Sequence, residues 1–292
     1  MIDIENIADF LSVTSDTIVT VLFSFIIFTA GVLVNVVFKL IQRYFERKRT
    51  RVYFFSIIEN IAEYTKKQID PFDKIITSLQ MKNHEMIYFT SISANSLNLF
   101  EKLSFDKVYD AFFSGIVFNR KKKREAFNQI QNKSELIRQI NYKLSTDISE
   151  LENKFHIYEQ DWNKEIDRIR EFYDNIRQQQ FSGSLDHKLT DFALSFNEIF
   201  YEWSQQEDRA NRTIVKAFLI EKLDSDFFRQ YKEFKEAMVL QNYSISALMF
   251  YKNMENIYNS YSDIFAHYSS DYLDYQIAVP SLIGKLNNNF SR

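Results

Sequence analysis

The sequence predicts an all-α protein: a single N-terminal transmembrane helix followed by a cytoplasmic helical-bundle domain with one long helix. Three observations carry that expectation. Only 4 Gly and 2 Pro punctuate 292 residues, so turns are few and helices must be long. Ile18 to Phe38 is a run of 21 residues without a charge, close to the roughly 20 needed to cross a bilayer as a helix. From Ile130 to Ile176 apolar residues recur by threes, fours and sevens, the period of one helix face.

Composition narrows the function. At 46% hydrophobic and 26% charged, the chain can bury one large core or two small ones. Its net charge of −3 means that any affinity for nucleic acid must come from a local patch. The absence of Cys removes disulfides, thiolate zinc sites and cysteine nucleophiles together, and fits a reduced cytosolic location for the bulk of the chain.

Residues 1–16 are read as a short extracytoplasmic amphipathic segment. Ile4, Ile7, Phe10 and Leu11 share one side, as in a helix lying on the outer leaflet; a plug over a helix cluster is the alternative. Residues 17–41 are read as the transmembrane helix. A cleavable signal does not fit, because Asp3, Glu5, Asp9 and Asp16 precede the apolar run and no Ala-x-Ala-like site follows it. Lys39, Arg43, Arg47, Lys48, Arg49 and Arg51 follow the run, and no Lys or Arg precedes it. The positive-inside rule then places the N-terminus outside and residues 42–292 in the cytoplasm. A buried helix of a soluble core is the competing reading.

The apolar run contains Asn35. At about 100° per residue, Thr20, Ser24, Gly31 and Asn35 fall within about 60° of one another, and Thr17 and Lys39 extend the stripe. A polar stripe facing lipid is costly, and a single span has no second helix of its own. The stripe therefore predicts a homo-oligomer, with Gly31 allowing close approach and Asn35 hydrogen-bonding between copies. If this face lines a pore, Ile27 and Phe38, on or near it, are expected to close it by excluding water. Thr and Ser can instead satisfy themselves on carbonyls of their own helix.

From Arg51 the helix is expected to continue through "VYFFSIIENIAEYTKKQID" and break at Pro71. One or two short helices follow, then a turn at Ser114-Gly115. A single helix is expected from about 120 to 180, because the apolar stripe keeps its phase through Ser145, Thr146 and Asp147; a hairpin turning at Ser145 is the alternative. "FSGS" at 181–184 marks a turn, after which Leu185, Leu189, Phe192, Phe196, Ile199 and Trp203 define a helix folding back antiparallel. Three more helices are expected, with a cap at Asp224–Asp226 between the first two and a frayed tail from Pro280. No repeat or low-complexity linker divides residues 42–292.

No catalytic constellation is found. His84, His156, His187 and His267 lack partners at metal spacing, no Gly-rich phosphate loop exists, and nucleophile elbows and kinase signatures are missing. Neither a cofactor, a metal nor an enzymatic activity is expected. One cluster stands out: Arg120, Lys121, Lys122, Lys123 and Arg124 lie in succession at the start of the long helix. Cations there oppose the helix macrodipole, and bound phosphates would relieve the repulsion. Tyr109, Phe112, Phe113 and Phe118 are candidate stacking faces for bases. A solvated helix start, or contact with anionic lipid, is the plainer alternative.

An N-out anchor, a polar stripe within it and a helical cytoplasmic domain without an active site together resemble the membrane effectors of bacterial anti-phage defence systems. The layout is similar to that of the Hailong pore-forming effectors, tetrameric channels controlled by single-stranded DNA oligomers. No motif matches residue by residue, so no functional residue is carried over. The resemblance implies a channel or pore in the bacterial inner membrane, made by a homo-oligomer such as a tetramer. It further implies a cytoplasmic domain that senses a nucleotide or short single-stranded oligonucleotide, with abortive infection as the outcome. A non-channel scaffold that recruits a cytoplasmic protein is the rival expectation.

Overall fold

Helix α1 (Ser15–Met81) runs 67 residues without interruption. The computed structural model describes residues 15–81, 89, 92–114, 117 and 119–287. Of these 91% are helical and none is in a strand, as the composition predicted. Residues 4–13, His84, Gly115, Phe118 and the end of the tail lie outside the described set.

The expected break at Pro71 does not occur, since Pro71 lies inside α1. Proline removes one i→i−4 hydrogen bond and crowds the preceding turn, at a cost of about 3 kcal/mol. Here Gln68, Phe72, Ile75 and Leu79 are all buried along one face through that turn. Burying several large side chains at about 1.5–3 kcal/mol each outweighs the defect.

After α1 come two short helices, α2 (Asn95–Glu101) and α3 (Phe105–Phe113). The long helix is α4 (Arg120–Ser182), 63 residues with no turn at Ser145. It ends as "FSGS" predicted. Gly183 takes φ +67, the left-handed region that glycine enters without steric cost. Its N–H donates to the Gln180 carbonyl at 3.2 Å, and the Ser184 N–H to that of Gln179 at 3.0 Å, the Schellman pairing that closes helix ends. Helix α5 (Thr190–Ser204) then returns antiparallel to α4. Tyr173 stacks on Phe200 with centroids 3.9 Å apart, and Asn197 Nδ2 donates to Gln180 Oε1 at 3.1 Å.

The stretch from 212 to 231 differs from expectation. Helix α6 (Arg212–Val215) passes into two π-helical turns, Lys216–Ile220 and Leu223–Phe227, and then into α7 (Phe228–Tyr231). Asp224 and Asp226 therefore lie within a π turn and cap nothing. The reason is in the spacing. Val215, Leu219, Leu223, Phe227 and Tyr231 are buried at steps of four, and on an α-helix each such step drifts by about 40°. π turns hold more residues and absorb the drift. The last helix, α8 (Lys235–Asn287), contains Pro280, and Leu282 and Leu286 beyond it are buried. That region is ordered helix where a frayed tail was expected, again because burial compensates the missing hydrogen bond.

The chain divides into two compact units: residues 1–61, 95–131 and 280–292, and residues 62–94 and 132–279. The first has an aromatic core in which Phe127 meets Phe54 at 5.6 Å, Phe112 at 5.9 Å and Phe113 at 5.8 Å between centroids. The second packs Trp162, Ile166 and Ile169 of α4 against Phe192 and Phe196 of α5, Leu219 and Leu223 of the π turns, and Leu240 and Met254 of α8. Its buried tyrosines keep hydroxyl partners: Tyr64 donates to Asn141 Oδ1 at 2.6 Å, and Tyr275 shares a 2.9 Å bond with Ser134.

Phe127→Ala should cost about 3–5 kcal/mol, the usual loss for an aromatic removed from a packed core. Tyr142→Ala, at a ring that is 79% exposed, should change stability by less than about 0.5 kcal/mol. Denaturant unfolding in detergent measures both, and equal effects would contradict the core assignment.

Candidate functional site: the apolar helix and its basic cluster

Helix α1 is the one described helix long and apolar enough to cross a membrane, and none of its most apolar 18-residue window is buried. A core helix of a soluble fold hides such residues. Here Phe23, Ile27, Phe28, Leu33 and Phe38 are all exposed.

The polar residues of this segment fall into two kinds. Thr20 Oγ1 donates to the Asp16 carbonyl, Ser24 Oγ to that of Thr20 and Thr29 Oγ1 to that of Phe25, each at 2.8 Å. Those hydroxyls are satisfied within the helix, as threonine and serine commonly are. Asn35 is exposed, and its side-chain amide bonds to no other described residue. At Gly31 an added Cβ would meet nothing within 4 Å. Ile27 and Phe38 are exposed on the same face.

The face does not stop at Lys39. Gln42, Phe45, Arg49, Val52 and Ser56 continue it, all exposed, and Phe45, Arg49, Val52, Tyr53 and Ser56 line an open groove. The opposite side of the same turns carries Phe54, Ile57, Ile58 and Ile61, buried in the first unit's core. Sequence reading stopped the stripe at the first cations. The seven-residue steps from Asn35 to Gln42, Arg49 and Ser56 were the available signal.

The basic run of α4 does not form one surface. Arg120, Lys121, Lys122 and Arg124 are exposed, whereas Lys123 is turned into the first unit and only 4% exposed. There it meets Arg51 of α1. Burial lowers the Lys123 ammonium below its ordinary pKa, and the like charge of Arg51 adds to this. Burial also lowers the Arg51 guanidinium; Tyr44 opposes that shift and Arg47 adds to it. Two basic segments some 70 residues apart thus converge, a juxtaposition that single-segment reading missed. The expected stacking platform is also corrected. Phe112 and Phe113 are buried core residues, and Tyr109, half-buried, carries the Arg124 guanidinium 5.8 Å from its ring centroid.

Comparison with known protein families, curated proteins and solved structures finds no match for the chain. The site therefore stands on its own geometry: an uncovered apolar helix, one polar side chain on it without a partner, and a cationic cluster where the helix joins its core. Among the described residues no group of three or more His, Asp or Glu is placed to hold a metal. His156 lies on the surface of α4 and bonds to Gln160 at 2.8 Å.

Lys123→Met removes a charge held in a buried place and should change the free energy of unfolding by about 1 kcal/mol or more. The same change at Lys121 or Lys122, exposed to water, should stay within about 0.5 kcal/mol. Effects of equal size at 123 and 121 would contradict the burial of Lys123.

Proposed function

We propose that the chain is an oligomeric membrane effector whose single spans come together face to face and enclose an ion-conducting pore. The single observation that carries this reading is the Gly31–Asn35 face. It is small, polar and exposed, and its amide has no partner among the described residues. In hydrocarbon an unpaired amide is costly, whereas between copies it can donate and accept at once. The one-sided cations support an N-terminus outside and the helical bulk in the cytoplasm of a bacterial inner membrane.

Control is proposed to come from the cytoplasmic side. The exposed cations Arg120, Lys121, Lys122 and Arg124 are suited to a nucleotide or short single-stranded oligonucleotide, each phosphate being able to take bidentate contacts from arginine. Such a ligand at the start of α4 would act beside Arg51 of α1, and so on the helix that forms the pore. The layout resembles that of membrane effectors of anti-phage defence, and on that resemblance the proposed biological role is restriction of phage growth by membrane depolarisation.

One observation favours the rival, a membrane scaffold that conducts nothing. The Thr20 and Ser24 hydroxyls are already satisfied within the helix, so half of the stripe has no need of water. Gly31→Leu separates the two readings. A Cβ at 31 meets nothing among the described residues, so an effect there points to another molecule. In planar bilayers the wild type should conduct under one ligand condition, and Gly31→Leu should abolish the current while the anchor still inserts. If the wild type never conducts, or Gly31→Leu conducts normally, the pore is refuted and the scaffold stands.

A further inference from the structure

We infer that the pore selects small anions such as chloride over cations, and that Arg49 is the selectivity-determining residue. This rests on the pore reading above. It takes its content from two separate observations, the continuation of the face beyond the apolar run and the charge of the unit to which that face belongs.

The first observation is geometric. Asn35, Gln42, Arg49 and Ser56 follow one another at seven-residue steps on one exposed ridge. Gly31, Phe38, Phe45 and Val52 form an adjoining ridge, also exposed and small or apolar. A seven-residue row drifts only about 20° per step on a straight helix, a drift that a gentle supercoil removes. Whatever the Asn35 amide faces, Gln42 and Arg49 face too. The buried residues Phe54, Ile57, Ile58 and Ile61 hold the other side of these turns against the chain's own core, so the helix cannot rotate Arg49 away independently of that core. Copies that meet through Gly31 and Asn35 therefore place one guanidinium each around the axis. That position is about 16 Å past Phe38 at 1.5 Å per residue, at the cytoplasmic mouth.

The carboxylates near this path are few. Asp16 sits at the far, outer end of the helix. Glu46 lies about 40° around the helix from Gln42 and accepts from Gln42 Nε2 at 3.2 Å, so each copy brings this one carboxylate to the flank of the path, one turn before Arg49.

The second observation is the charge of the first unit. From Lys39 onward its residues include 15 Lys and Arg against 6 Asp and Glu, whereas the second unit has 21 against 29. A surplus of cations around the mouth of a narrow path raises the local concentration of anions. Rings of Arg or Lys are the usual means by which pores favour anions.

The test is the reversal potential of full-length protein in planar bilayers under a potassium chloride gradient. The wild type should reverse on the chloride side of zero. Arg49→Glu should carry the reversal potential across zero toward potassium, and Arg49→Lys should keep the wild-type sign. Arg43→Glu makes the same charge change about 120° around the helix from Arg49 and should leave the sign unaltered. A wild-type pore that prefers potassium, or an Arg49→Glu pore with unchanged selectivity, would overturn this inference and leave the pore reading intact. A wild type with no conductance would remove both.

Discussion

From Val19 to Phe45 helix α1 carries eighteen large apolar side chains exposed on every side. Hiding each from water contributes about 1.5–3 kcal/mol. Together that is tens of kcal/mol, more than the whole folding stability of a typical domain, about 5–15 kcal/mol. No part of the described chain covers them. A surface of this kind calls for lipid or another molecule to cover it, and the proposed architecture follows from that constraint. Lipid satisfies Phe, Val, Ile and Leu equally well on all sides, but it cannot satisfy the Asn35 amide. A second helix can.

The same helix is continuous from Ser15 to Met81. Its exposed face and the Phe54–Ile61 core contacts belong to one unbroken rod within the first unit. Arg51, which Lys123 of α4 approaches, lies on that rod with no intervening loop between it and the apolar segment. Lys123 and Arg51 lie within electrostatic reach of each other, and burial lowers the pKa of both. Under the proposed reading, the convergence of two distant basic segments on α1 would link ligand sensing to the proposed pore.

Much of the fold was legible in the sequence because it depends on periodicity. The stripe from Ile130 to Ile176 specified α4, and Gly183 specified its end, since few other residues accept φ +67 without strain. The uncharged run from Ile18 to Phe38 specified the exposed segment of α1. What failed were local punctuation rules applied where tertiary burial overrides them. Pro71 and Pro280 were read as stops, yet Phe72 and Leu282 are buried right beside them and hold the helices through. Asp224 and Asp226 were read as caps, when the steps of four from Val215 to Tyr231 already pointed to π turns. The basic run was read as a unit. A helix turns about 100° per residue, so five consecutive cations can never share one face, and Lys123 is the one that turns inward. The pairing of Lys123 with Arg51 joins positions 72 residues apart, and no single segment shows it.

The central claim is that α1 associates through the Gly31–Asn35–Gln42 face. The chain contains no Cys, so single cysteines introduced along α1 report contacts without background. Oxidative cross-linking in native membranes, scored for disulfide-linked dimers, tests the claim most directly. Dimers are expected from Gly31→Cys, Asn35→Cys and Gln42→Cys, and none from Leu22→Cys, Leu33→Cys or Leu40→Cys on the opposite side. Cross-linking that is uniform around the helix, or strongest at Leu22, Leu33 and Leu40, would contradict it.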